Sequence, residues 1–374
     1  MLIGIDASRT TIARRTGTEV YSLQLIRHLV RLRPDWQFRL YFNQAPSDEA
    51  IPTAAHVERR VIPFPRLWTH LRLSAEVTLR PPDLLFVPAH VLPILHPRRS
   101  VVTVHDVGHR YHPEAHPPAQ RCYLEWSTRY HTHAATHLLA DSHATRNDLI
   151  RFYNADPTRI TVVHLGIDAD FRPIQDPAQI AAVKAKYGIE QPYILYLGTL
   201  QPRKNLTRLI QAFARLQRED ITLVLAGKQG WLSEDLQAQA QAIGVGTRVL
   251  LTGFVDDADR PALYSGATLF VMPSLYEGFC FPVLEAMACG TPVVCSNVAS
   301  LPEVGGDAAR FFDPTDVEAM AKAIAQTLDD PLRRAHMRAC GLEQSKTFTW
   351  ERCARQTATV LEQVSSKTPQ RGFR

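Results

Sequence analysis

Residues 274–305 read SLYEGFCFPVLEAMACGTPVVCSNVASLPEVG and carry two glutamates, Glu277 and Glu285, eight positions apart. Glu277 falls in a loop after an apolar strand, Gly278 permits a tight turn, and Pro282 suits the first turn of a helix running to about Cys289. Unpaired backbone N–H groups at that helix start lie at the positive end of the helix dipole and form an anion site. One carboxylate can then meet a sugar and the other a ribose, with a diphosphate between them. Two glutamates at this spacing also arise by chance, so the pair alone leaves a structural role open. A second segment, YILYLGTLQPRKNLTRLIQAF, ends a strand at Gly198 and Thr199 and places Arg203 and Lys204 in the loop that follows. A guanidinium fork beside a compact ammonium suits a diphosphate. Solvated loop charge, with Asn205 capping the next helix, is the alternative.

The first half holds fewer such groups. In SRTTIARRTGTEVYSLQLIRHL, Gly17 and Thr18 stand at a helix start after an arginine-bearing loop, where backbone can approach a phosphate. His105, in VVTVHDVGHRYHPE, follows a strand directly and points to the ligand-binding edge, unless it is a hydrogen-bonded structural histidine. Ten of the fifteen histidines lie between His90 and His143, but His137 begins a strand, so His131, His133 and His137 do not share a metal-ligand geometry. Asp257-Ala258-Asp259 imitates a metal-binding D-x-D, yet it stands at a helix start where Asp caps well. No metal is expected. Residues 66–80, RLWTHLRLSAEVTLR, form a basic amphipathic segment with Leu67, Trp68 and Leu71 beside Arg66, Arg72 and Arg80. It suits either a membrane surface bearing lipid-linked acceptors or a core-facing helix with solvated arginines.

Short β-branched runs alternate with helical stretches along nearly the whole chain, the pattern of parallel sheets built from βαβ units. Strands are expected at 2–7, 38–43, 57–63, 83–89, 100–105, 137–141 and 160–164, then at 192–198, 221–227, 248–253, 268–274 and 292–297. Residues 165–191 carry turn signals and one short helix, as an interdomain connection would. The expected organisation is a domain over 1–170, a second over 171–348, a helix at about 349–366, and a mobile tail at 367–374. The 374 residues suit two domains at about 150 each. With 45% hydrophobic and 21% charged residues, the chain is not a disordered one. A net charge of +5, dispersed along the chain, argues against a nucleic-acid binder. No apolar run approaches the roughly 18 residues of a membrane span, and the start, MLIGIDASRT, reads as a first strand instead of a signal peptide, so a cytoplasmic protein is expected. Six cysteines without a C-x-x-C pair suit reduced thiols.

EGFCFPVLEAMACGTPVV closely resembles the signature of family 4 glycosyltransferases of the GT-B fold, and GTLQPRKN agrees with it. The resemblance implies two Rossmann-like domains facing across a cleft, with 349–366 returning to the first. It implies that Glu277 bonds hydroxyls of the donor sugar, that Glu285 bonds the ribose, and that the amides of Gly278, Phe279, Cys280 and Phe281 face sugar and phosphates. Cys280 stands where the family usually has Gly and narrows the pocket. Gly198, Thr199, Arg203, Lys204, Gly227, Gly253, Phe254 and Val255 are implied in nucleotide binding. Gly227 and Gly253 also fit a plain turn. Gly17 and Thr18 are implied near the diphosphate and His105 at the transferred sugar. Catalysis would then rest on His105, Arg203, Lys204 and Glu277. The implied activity is retaining transfer of a hexose, mannose from GDP-mannose, to a hydroxyl of a glycan or lipid-linked acceptor. No further cofactor or divalent ion is required. A UDP-sugar donor, a sugar-nucleotide epimerase and a non-enzymatic nucleotide-sugar sensor are the alternatives. None of these residues sets the oligomeric state.

Overall fold

A computed structural model describes residues 1–12, 15–47, 51, 53–64, 66–89, 91–113, 117–228, 230 and 235–366. The expected mobile tail lies outside them. The chain divides into two compact units, Met1–Arg110 with His116–Gly166 and Thr349–Arg374, and Tyr111–Ala115 with Ile167–Phe348. The sequence places the break after residue 170; in the structure it falls after Gly166.

The first unit is built on β1 (Leu2–Asp6), β2 (Gln37–Phe42), β3 (Val57–Val61), β4 (Leu84–Val87), β5 (Ser100–Val104), β6 (His137–Ala140) and β7 (Ile160–Val162). They form one sheet in the order β3-β2-β1-β4-β5-β6-β7, with every pair parallel. The second unit contains β8 (Tyr193–Leu197), β9 (Thr222–Ala226), β10 (Val249–Gly253), β11 (Leu269–Met272), β12 (Val293–Ser296) and β13 (Ala309–Phe312), in the order β10-β9-β8-β11-β12-β13. Central strands such as LLFV of β4 and YILYL of β8 are wholly buried, as parallel strands covered on both faces must be. The edge strand β3, VERRV, keeps its charges at the rim, which discourages pairing with another sheet. β13 was not expected: ARFF is a half-buried edge with too short an apolar run to stand out. Both units are Rossmann-like, and the chain order of strands reverses between β1 and β4 and again between β8 and β11. Ligands of doubly wound sheets bind at the carboxyl ends of strands beside such reversals. Among the described residues no helix is long and apolar enough to cross a membrane.

The helix Trp350–Ser366 belongs to the first unit because one stripe of it is apolar. Cys353, Ala354, Thr357, Ala358, Leu361 and Val364 are buried at helical spacing. Trp350 meets the ring of Tyr21, 6.3 Å between centroids, and Arg33 pairs with Glu362. Its first turn lies so close to Gly166 that a Cβ there would be 2.1 Å from the Trp350 nitrogen. Gly166→Ala must therefore displace the helix start. The expected cost is about 3 kcal/mol, read as a lowered thermal midpoint.

The helix Pro118–Ala134 buries His131, and neither ring nitrogen has a hydrogen-bond partner among the described residues. Burial, helped by the nearby His109, lowers its pKa to about 3, so the ring is neutral when folded. Once unfolded it titrates near 6.5. Below that pH the unfolded chain binds the extra proton, so stability falls as pH drops from about 6.5 toward about 3, by up to about 1.4 kcal/mol per unit. Denaturant titrations at stepped pH should show this slope in the wild type and lose it in His131→Leu.

Candidate active site

The loop leaving β8 runs through a 3₁₀ turn, Pro202–Lys204, into the helix Leu206–Arg215. Asn205 joins them in the left-handed conformation, φ 60°. It stands at the N-cap position, but its side chain makes no capping bond to the helix, unlike in the alternative reading. Its amide donates to the carbonyls of Pro273, 3.0 Å, and Pro314, 2.8 Å, tying this loop to those after β11 and β13. The Leu275 amide adds a bond to the Arg203 carbonyl, 3.0 Å.

Held this way, both cations reach Glu277. Arg203 Nη1 lies 3.2 Å from Glu277 Oε2 and also donates to the Tyr276 carbonyl, while Lys204 Nζ donates to Oε1. All three side chains are largely buried. Burial pushes the Glu277 carboxyl up, but Lys204 and Arg203 together outweigh it and hold the group below the usual carboxylate range. The Ser300 hydroxyl donates to the carbonyls of Glu277, 2.9 Å, and Phe279, 3.1 Å, and so shapes the loop that carries the acid. Gly278 and Phe279 continue that loop to Cys280, whose φ of 84° is unfavourable for any residue but Gly. The helix Phe281–Ala288 follows, with Pro282 in its first turn as expected.

Glu285 lies buried on this helix. Its Oε2 accepts from Arg260 and, at 2.7 Å, from the Tyr264 hydroxyl. Arg260 also rests over the Phe171 ring, 5.1 Å from its centroid. Burial works against the Arg260 charge, and Glu285 more than offsets it. Arg260 and Tyr264 escaped the sequence reading, although a buried Glu285 demands a cationic partner. Asp257–Asp259 attracted notice instead. Asp259 does not cap; it binds Lys186 at 2.6 Å and Tyr187 at 2.8 Å.

Gly198, Gly227 and Gly253 meet at the carboxyl ends of β8, β9 and β10. Gly198 N donates to the Ala226 carbonyl, 2.9 Å, and Gly227 N to the Gly253 carbonyl, 2.8 Å. A Cβ on Gly227 would stand 1.9 Å from the Gly198 oxygen, so here the close approach alone requires glycine. Thr199 continues from Gly198; its carbonyl accepts from Tyr196, 3.2 Å. After Gly253, Phe254 is exposed and Val255 buried.

Gly17, Thr18 and His105 belong to the first unit. Gly17 opens the helix Gly17–Leu32, whose start is already occupied by a carboxylate, since Glu19 Oε2 accepts from the Thr16 amide at 2.9 Å. Thr18 accepts from the Ser22 hydroxyl, 2.9 Å. Part of the preceding loop, Ala13 and Arg14, lies outside the described residues. His105 is buried with Nδ1 2.6 Å from Asp141 Oδ2 and Nε2 2.9 Å from the Pro88 carbonyl. Burial disfavours its charge, but Asp141 outweighs burial and raises its pKa. Both ring nitrogens thus have partners inside their own unit, and Asp141 was not foreseen.

Two Rossmann-like units in one chain, the second with paired cations and buried acids beside its strand-order reversal, make this a glycosyltransferase of the GT-B class. Comparison with known proteins agrees. Residues 15–171 match the model described as Glycosyltransferase Family 4, and residues 179–344 match Glycosyl transferases group 1. The O-antigen chain mannosyltransferase B of Escherichia coli is 36% identical over 380 residues, 93% of this chain and 96% of that one. The serotype-specific mannosyltransferase WbdA of Escherichia coli is 34% identical over 58% of this chain, but only 27% of its own length is matched. HepE of Anabaena, crystallised with UDP-glucose, shares the fold at a TM-score of 0.77 and 20% identity, over 97% of this chain and 99% of that one. The chain belongs to the family 4 glycosyltransferases and is similar to bacterial mannosyltransferases.

Removing a partner from Glu285 gives the clearest structural test. Arg260→Ala strands a buried carboxylate and is expected to cost about 3 kcal/mol of stability. Tyr264→Phe removes one hydrogen bond and is expected to cost about 1–2 kcal/mol. Equal melting midpoints for wild type and Arg260→Ala would show that this pairing is not maintained in solution.

Proposed function

We propose that the protein is a retaining glycosyltransferase that moves mannose from GDP-mannose onto a hydroxyl of a growing glycan. The observation that carries this reading is the buried cluster of Arg203, Lys204 and Glu277 at the strand-order reversal of the second unit. The likeness to O-antigen chain mannosyltransferase B supports mannose as the sugar. The resemblance of GTLQPRKN and HDVGHRY to segments of bacterial mannosyltransferases supports GDP as the carrier.

An arginine offers five donors and a lysine three, so contact with Glu277 leaves both cations with N–H groups for a diphosphate. Glu277 likewise retains lone pairs for sugar hydroxyls, and Glu285 for a ribose. Each acid is neutralised by a cation, which makes either a poor nucleophile and favours a route without a glycosyl-enzyme intermediate. The acceptor oxygen then attacks on the face the diphosphate leaves. The new bond joins acceptor oxygen to the anomeric carbon, the bond from that carbon to the phosphate oxygen breaks, and the acceptor's proton passes to the leaving phosphate. Arg203 and Lys204 stabilise the charge growing there. They supply what a divalent ion would, so no metal is required. A lipid-linked acceptor would place the protein at the cytoplasmic face of a membrane.

Arg203→Ala and Lys204→Ala should each lower kcat about a hundredfold, roughly 3 kcal/mol, and transfer by the wild type should survive a chelator. In thermal-shift assays GDP should stabilise more than UDP or ADP, by about 2.7 kcal/mol at 100 times its dissociation constant. Undiminished turnover in either variant, or a product of inverted anomeric configuration, would refute the reading.

A further inference from the structure

Glu285 stands one turn into the helix Phe281–Ala288 and is 4% exposed. Its two oxygens are engaged unequally. Oε2 accepts from Arg260 and, at 2.7 Å, from the Tyr264 hydroxyl, whereas Oε1 makes no hydrogen bond to any described residue. Both donors come from the helix Arg260–Gly266, four residues apart and hence on one face of it. That helix follows the carboxyl end of β10, so its first turn belongs with the strand-end loops of the second unit. Each donor is itself pinned. Arg260 lies 3.4 Å from Asp257 and rests over the Phe171 ring. The Tyr264 ring meets those of Phe171 and Phe270 edge-on, 6.3 and 5.5 Å between centroids, and its carbonyl accepts from the Thr291 hydroxyl, 2.7 Å. Burial, reinforced by the charge of Glu285, pushes the Tyr264 phenol up and keeps it protonated, so it faces the acid as a donor.

An ionised carboxylate offers about four lone-pair sites and no donor. The protein fills those of Oε2, and those of Oε1 suit two donors on adjacent atoms, which is the pattern of a vicinal diol. We propose that Arg260 and Tyr264 are positioning residues that fix Glu285 with Oε1 turned to both hydroxyls of the nucleotide ribose, and that they thereby set a preference for ribonucleotide over deoxyribonucleotide. The proposal deepens the reading above and rests on it in one respect: a nucleotide must occupy the second unit. Arg260 alone would draw both carboxylate oxygens into its planar fork, which would leave neither for a ligand. The Tyr264 hydroxyl, sharing Oε2 with the guanidinium, holds the carboxylate end-on instead. Glu277 provides the contrast, since Lys204 engages its Oε1 and Arg203 its Oε2. The one-sided arrangement separates Glu285 from the other acid of the cluster. An anionic group does not fit at Oε1, because a carboxylate can only accept there.

Calorimetric titration of the full chain with GDP and 2′-deoxy-GDP, and with UDP and 2′-deoxy-UDP, tests it without donor sugar or acceptor. The wild type should bind the ribose form at least about tenfold more tightly, as a hydrogen bond to a charged acceptor implies. Tyr264→Phe should weaken the ribose form several-fold and leave the deoxy form unchanged, so that the ratio of the two falls toward one. Arg260→Gln should lower the same ratio. In transfer assays Tyr264→Phe should raise the donor KM and hold kcat, since the ribose takes no part in the bond exchange. Equal weakening of both forms by Tyr264→Phe, or a ratio that neither variant changes, would overturn the positioning role and leave nucleotide binding standing. A wild type that binds none of the four nucleotides would instead overturn the enzymatic reading, and this proposal with it.

Discussion

A carboxylate removed from water stays charged only beside a cation or several donors, since the solvation it loses is worth several kcal/mol per ion. Two buried acids in this chain meet that condition with partners distant in sequence: Glu277 has Lys204 and Arg203, and Glu285 has Arg260 and Tyr264. A third, Asp141, is tied to His105, but burial outweighs that contact and pushes its carboxyl up. Each pairing also fixes two elements against each other. The loop after β8 is held to the loop after β11, the helix Arg260–Gly266 to the helix Phe281–Ala288, and the end of β5 to the end of β6. The buried charges are therefore structural ties as well as candidate chemistry.

Backbone geometry makes room for them. Strand order turns back between β8 and β11, and the loops leaving these two strands diverge there, so the groups they carry can meet. Asn205 fills the junction with an amide that satisfies two carbonyls, a role that a capping side chain turned toward its own helix could not serve. Cys280 accepts a left-handed backbone without being glycine, at a cost on the order of 1 kcal/mol. Its thiol is buried, and burial, reinforced by the charge of Glu277, keeps it protonated. It contributes bulk and not a nucleophile.

The parallel sheets were legible in the sequence because buried strands such as YILYL and LLFV are continuous apolar runs closed by turn residues. β13 was not, because an edge strand of four residues buried on one side leaves almost no pattern. The E-x7-E and R-K signals marked Glu277, Glu285, Arg203 and Lys204, but not that the cations and Glu277 grip one another. Arg260 lies 25 residues before Glu285, and Asp141 lies 36 after His105. Pairings at such separations depend on how helices and strands stack, which local periodicity does not encode. Asp259 was misread for the same reason: a capping residue type at a helix start says nothing of a stronger partner arriving from elsewhere.

The contact between Glu277 and the two cations also bears on how a site of this kind could work. Unanchored, a lysine and an arginine in a loop would each have to be immobilised when a diphosphate arrived, and that ordering would offset part of their attraction for it. Anchored by Glu277, they are ordered beforehand, and two positive charges against one negative leave a local excess of one. At an effective dielectric near 20, one unit charge about 4 Å from an oxyanion is worth roughly 4 kcal/mol. That is more than the roughly 3 kcal/mol a single preorganised donor supplies when an anion develops. Under the proposed function Glu277 would then serve twice, through one set of lone pairs as anchor of the cations and through the remainder as acceptor of sugar hydroxyls. The first role needs an acid that stays ionised although buried, and the lowered pKa of its carboxyl meets that requirement.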